Sequence, residues 1–177
     1  MNVLKNLEQT VVGWLKKAPR LPRISKVWLG DNLWWIAGVF AALTAIAVLG
    51  LVMSVLGNLS MLGNPYVSYY TTATIVGLAA IKTTVSLVFT AIVCILLAVA
   101  VTPLKEKQKK GWSLVFVALI VSAISIAVGA VLTLNVFGFL ANIIFGVLWL
   151  IFAIYILFEA REQFVHVERS KGIKKNA

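Results

Sequence analysis

Thr102-Pro103-Leu104-Lys105-Glu106-Lys107-Gln108-Lys109-Lys110-Gly111-Trp112 puts four lysines into eleven residues, with an uncharged apolar run on either side. Each run is long enough to cross a bilayer. The stretch therefore reads as a short loop between two membrane spans, and it sets the direction of every other span. Its lysines are the first candidates for contacts with lipid headgroups: Lys105, Lys107, Lys109 and Lys110.

Composition supports a membrane protein. Hydrophobic residues make up 61% of the 177-residue chain, and the mean hydropathy is +0.98. Soluble domains are usually about 45–50% apolar. Here the excess lies in long runs, which favours spans over a soluble core. The formal charge of +10, from 16 basic and 6 acidic residues, would also suit nucleic acid. The loop is too short for a recognition fold and has no aromatic residue except Trp112, so nucleic acid is not an expected partner.

Working outward, span three is expected at 111–133 and span four at 136–158. Asn135, followed by Gly138, is the best break in that long uncharged run, and so tight a hairpin makes the two spans antiparallel neighbours. Toward the N-terminus, span one is expected at 33–56, where a helix reaches about 36 Å. Ser25 to Asp31 reads as a connector, with Asp31 or Asn32 as the cap of span one. Gly57-Asn58-Leu59-Ser60 and Gly63-Asn64-Pro65 read as a turn-rich loop.

Residues 66–81 are the ambiguous part. A single helix from Val67 to Val101 would reach roughly 52 Å, well beyond the hydrocarbon core. Placing span two at 83–103 keeps Lys82 at the outer interface. Residues 66–81 then form a short helix on the outer face, either surface-lying or re-entrant.

At the N-terminus, Leu4, Leu7, Val11, Val12 and Leu15 recur at helical spacing, with Lys5, Glu8, Gln9 and Lys16 off the stripe. Residues 2–17 are expected to form an amphipathic helix lying in the headgroup region, its lysines toward anionic lipid. The plainer reading is a solvated helix packed on a partner. Pro19 and Pro22 end this element.

Orientation follows from the cations. Lys5, Lys16, Lys17, Arg20, Arg23 and Lys26 precede span one. The central loop holds four lysines, and Arg161, Arg169, Lys171, Lys174 and Lys175 follow span four. Four spans put all three clusters on one face and leave only Lys82 on the other. The positive-inside rule then makes both termini and the central loop cytoplasmic.

Chemistry is sparse. The four expected spans contain no Asp, Glu, His or Arg, whereas coupled transport usually needs an ionisable group at membrane depth. Lys82 reads as an interfacial lysine whose stem lets the ammonium snorkel outward, or as a headgroup contact. Thr83, Ser86, Thr90 and Cys94 recur at spacings of three, four and four, so they share one face of span two. That face suits a weakly polar groove, but such hydroxyls more often bond their own helix or a neighbour. In Gly138-x3-Asn142-x3-Gly146, Asn142 lies in a narrow notch on span four. An amide in hydrocarbon needs a partner, and Ser122, Ser125 and Gly129 of span three are candidates. One cysteine and one histidine leave no intrachain disulfide, no Cys-pair zinc site and no His–His metal pair. Protease, nucleophile and phosphate-loop motifs are missing. No catalytic residue, cofactor or metal is expected.

Lys109-Lys110-Gly111-Trp112, opening span three, and Ile154-Tyr155-Ile156-Leu157-Phe158-Glu159-Ala160-Arg161, closing span four, resemble a set of small uncharacterised bacterial four-span membrane proteins over roughly residues 83–162. The resemblance implies a bacterial cytoplasmic membrane. It supplies neither an activity nor a site residue.

The expected architecture is thus an all-α membrane protein of four transmembrane helices with both termini inside. An interfacial amphipathic helix and basic linker (1–32) lead into the membrane domain (33–158), and a basic tail follows (159–177). The expected role is a non-enzymatic accessory, scaffold or assembly subunit. Its partners would be the bilayer, anionic headgroups, and a second copy or another membrane protein. The alternative is a small oligomeric transporter or channel subunit, which would need Thr83, Ser86, Thr90 and Asn142 to line a water-accessible path.

Overall fold

A computed structural model describes residues 2–15, 19–62, 73–133 and 135–175, with side chains at 6–14, 19–62, 75–133 and 135–164. The described residues form five helices and no strand: α1 (Asn2–Leu15), α2 (Arg23–Leu62), α3 (Ala73–Lys105), α4 (Lys109–Val131) and α5 (Val136–Lys175). The last four are each long and apolar enough to cross a membrane. A helix satisfies its own backbone polar groups, so it is the stable state of such a run in lipid.

Three helix ends depart from the expected boundaries. α2 starts at Arg23, not near Leu33, because Pro22 already begins it: the Lys26 amide donates to the Pro22 carbonyl at 3.2 Å. Asp31 and Asn32 therefore sit inside a helix and cap nothing. Asp31 pairs with Lys107, and Asn32 Nδ2 donates to the Trp28 carbonyl. α2 also runs on through Gly57-Asn58-Leu59-Ser60 to Leu62. Ser60 Oγ bonds back to the Gly57 carbonyl and Asn58 reaches Thr83, so neither needs a turn.

The third departure is at span two. Residues 66–72, with Tyr66, Tyr69 and Tyr70, lie outside the described residues. The rest of the expected outer-face helix is no separate element: 73–81 is the start of α3, which passes through Lys82 without a break. The lysine is accommodated because its ammonium donates to Thr133 Oγ1 at 2.9 Å, beside the last turn of α4. The negative end of that helix suits a cation.

The hairpin forms where expected. α4 ends at Val131 and α5 starts at Val136. Asn135 caps α5, its Oδ1 accepting from the Gly138 amide at 2.9 Å. Between α3 and α4, the Gln108 amide donates to the Pro103 carbonyl and the Lys107 amide to the Leu104 carbonyl, a Schellman closure. Lys107 takes the left-handed position at φ 53°, which usually falls to glycine.

The core sits at one end of the bundle. Leu29, Leu33 and Ala37 of α2 meet Leu97, Ala100 and Leu104 of α3. Trp112, Val115, Phe116 and Ala118 of α4 and Leu157, Phe158, Ala160 and Phe164 of α5 complete one cluster. Alanines at the crossings let the backbones approach closely. The Trp112 ring stacks on Phe116 at 5.5 Å and meets the edge of Phe158 at 5.2 Å. Three ion pairs at this end join Lys107 to Asp31, Lys26 to Glu159 and Arg161 to Glu8. With the loop lysines, this is the basic end of the bundle. Toward the far end the exposed large apolar side chains concentrate on α2 and α5, among them Leu49, Met53, Leu56, Phe137, Phe145 and Leu148.

Candidate functional site

Two features of the basic half bring side chains from distant parts of the chain together. The first is a charged groove of about 130 Å³ between α1, the linker, α2 and α5. Val11 and Val12 turn the apolar stripe of α1 onto the core cluster, while Leu7 and Trp14 stay exposed. Arg161 clasps α1: its Nε donates to Glu8 Oε1 at 2.7 Å, and its guanidinium lies 6.0 Å from the centre of the Trp112 ring. Tyr155 Oη donates to the Pro19 carbonyl at 2.7 Å and holds the linker. Lys26 Nζ lies 2.8 Å from Glu159 Oε2, both side chains being about seven-eighths buried (15% and 12% exposed). Arg20 and Glu162 complete the rim. Among the described residues, Arg20 forms no ion pair.

The second feature is an apolar cavity of about 200 Å³ among α2, α3, α4 and α5. Residues from Leu33 to Thr44 on α2 and from Trp149 to Leu157 on α5 contribute to its walls. Its two hydroxyls are turned away. Thr44 Oγ1 bonds the Phe40 and Ala41 carbonyls, and Ser122 Oγ the Ala118 carbonyl.

The four polar residues singled out in the spans do not meet in either feature. Thr83 Oγ1 donates to the Ala79 carbonyl and accepts from Asn58 Nδ2 at 3.2 Å. Thr90 Oγ1 donates to the Ser86 carbonyl at 2.7 Å, and Ser86 is half-buried on the same helix. Cys94 Sγ, a turn further on, points to the Ala41 carbonyl of α2 at 3.6 Å. Asn142 belongs to the α4–α5 seam. A Cβ added to Gly129 would sit 3.2 Å from its Nδ2, one added to Gly146 would strike Ile126, and one added to Gly138 would touch Thr133. The notch is a packed contact between neighbouring spans.

Of the candidate headgroup lysines, Lys82 bonds Thr133, and Lys105 lies 5.5 Å from the centre of the Trp34 ring. Lys107 pairs with Asp31, while Lys109 and Lys110 stand in the first turn of α4, with Lys110 exposed. Among the described residues no cluster of three or more His, Cys, Asp or Glu is placed to hold a metal ion.

Sequence reasoning passed over the groove because its parts are far apart along the chain. One signal was present. Acidic residues are scarce, yet Glu8, Asp31 and Glu159 each face a cation on another element.

No protein-family model, curated protein or solved structure matches the chain.

Proposed function

We propose that this multi-pass membrane protein is a non-enzymatic accessory or assembly subunit, acting through helix and lipid contacts in a bacterial cytoplasmic membrane with both termini inside. One observation carries the reading. The hydroxyls of Thr83, Thr90 and Ser122 are spent on carbonyls of their own helices, and the cavity among the four spans is apolar. A solute path needs the opposite arrangement. The charge distribution supports the orientation. Lys109 and Lys110 oppose the positive N-terminal end of α4, so helix stability does not account for them. Attraction to anionic headgroups does, and it also suits the exposed Trp14 of α1 as an interfacial anchor. The outward-facing apolar side chains of α2 and α5 are the surfaces offered to a second copy or to another membrane protein.

The test pairs isolation from native membrane in mild detergent with reconstitution into vesicles. The expected result is a membrane protein or second copy retained in fixed ratio, and no solute or ion flux above that of empty vesicles. Selective flux through the purified protein would overturn the reading.

A further inference from the structure

α2 and α5 close on one another at the basic end and part beyond it. At Gly30 an added Cβ would lie 2.8 Å from the Cβ of Gln163, so the two helices approach closely there. Further along, large rings bridge the gap, Phe40 and Trp149 meeting at 5.4 Å. Among the bundle's principal helix pairings, this one has the least contact. The apolar cavity of about 200 Å³ begins just past the Gly30 contact, at Leu33 and Leu157, and follows the seam as far as Thr44 and Trp149. Two of the residues that line it, Trp149 and Phe152, are also about half exposed on the outside of the bundle (48% and 55%). There the cavity is continuous with the lipid-facing surface but for the thickness of one side chain.

We infer that this cavity binds one acyl chain of a phospholipid from the surrounding bilayer, entering between α2 and α5 and leaving its headgroup in the leaflet at the basic end. The charged groove takes no part. Three arguments support the site. The first is size: an engineered apolar cavity of about 150 Å³ stays dry and takes up benzene. This one is about 200 Å³, and its Thr44 and Ser122 hydroxyls already have partners, so water gains little there. The second is shape and depth. On α2 the lining runs from Leu33 to Thr44, about 16 Å of helix, close to half of a hydrocarbon core of about 30 Å. It starts beside Trp34, whose ring centre lies 5.5 Å from Lys105 Nζ at the basic end. The slot therefore lies along the helices, as a chain of that leaflet does, and reaches about as deep. The third is polarity. No charged residue lines the cavity. A free fatty acid drawn into it would bury a carboxylate without a partner, which is costly. A phospholipid keeps its polar part in the headgroup region. The inference rests on these helices crossing a bilayer and not on the accessory role.

The test reconstitutes the full chain into phosphatidylcholine vesicles that contain a little phosphatidylcholine with a photoactivatable diazirine in mid-chain. A matched sample carries a diazirine fatty acid instead, and adducts are mapped by peptide mass spectrometry. Lipid at the outer surface of the bundle does not reach Ala37, Leu97 and Ala118, which are buried and line the cavity. Phospholipid adducts are expected at these three positions. Ala100 and Ala160 are equally buried but lie outside the cavity, and should carry none. Ala153→Leu, which fills the cavity, should lower the cavity adducts about tenfold, the effect of losing roughly 1.4 kcal/mol of binding. Adducts at outward-facing Phe137 should not change. Thr44→Leu fills the cavity more gently, should also lower the yield, and decides the matter if the first variant does not fold. Labelling at Ala118 no stronger than at Ala100 would overturn the inference. So would labelling by the fatty acid equal to or above that by the phospholipid, or yields unchanged in both filling variants. Solute flux would overturn the accessory role and leave these adducts as they are, so the two failures are distinct.

Discussion

The Trp112 indole donates a 2.9 Å hydrogen bond from Nε1 to the Leu157 carbonyl, so the first turn of α4 is tied to the backbone of α5 inside the buried core of the bundle. The ring is 1% exposed and contacts both Phe116 and Phe158. Trp112→Phe keeps an aromatic ring and loses the bond. It should cost about 1 kcal/mol, the usual worth of such a bond. Trp112→Ala also empties the centre of the cluster and should cost about 3–5 kcal/mol. Thermal unfolding in one detergent compares the two. Equal losses would mean that the ring's packing carries little.

Gly111 is the second structural requirement of this corner. A Cβ there would lie 2.6 Å from the Leu104 amide nitrogen and 2.8 Å from the Pro103 carbonyl carbon, both backbone atoms in the Schellman turn. Backbone cannot move aside as a flexible side chain does. Gly111→Ala should therefore destabilise by about 2 kcal/mol or more. Gly57→Ala is the control, since a Cβ at Gly57 meets nothing within 4 Å. It should be neutral or slightly stabilising in a helix.

Lys26 and Glu159 predict a non-additive pair. Both are largely buried, so removing one leaves the other charged and poorly solvated. Lys26→Met and Glu159→Leu should each cost about 3 kcal/mol. The double variant should lose much less than the sum, because no uncompensated charge remains. A double-mutant cycle on unfolding midpoints measures this coupling. Simple additivity would show that solvent reaches the pair more freely than its burial suggests.

These contacts mark where sequence reading reached and where it stopped. Four uncharged runs and the Asn135 break were legible because hydropathy and capping are local signals. The ends of α2 were not, since Ser60 and Asn58 look like turn residues until their hydrogen bonds to Gly57 and Thr83 are known. Lys82 argued for a helix boundary only while its partner, Thr133, lay 51 residues away and unseen. The groove was less legible still. Glu8 and Arg161 are separated by 153 positions, and no periodicity connects them.

Topology gives the most direct prediction. Gln108 lies in the α3–α4 turn at the basic end. Ser60 is exposed near the far end of α2, past Asn58, which bonds Thr83. The fold places these two residues at opposite ends of the bundle. Cys94 is the one native thiol, half-buried in α3, and Cys94→Ser removes it as a background. In that background Gln108→Cys and Ser60→Cys are introduced singly and challenged with a membrane-impermeant maleimide. In intact cells Ser60→Cys should react and Gln108→Cys should not; in inverted membrane vesicles the pattern should reverse. The cause is electrostatic, because the loop lysines are retained on the side where the segments were made. The opposite pattern would keep the fold and invert the membrane assignment. Labelling of both positions from one face would require that α3, the one described helix between them, fail to cross.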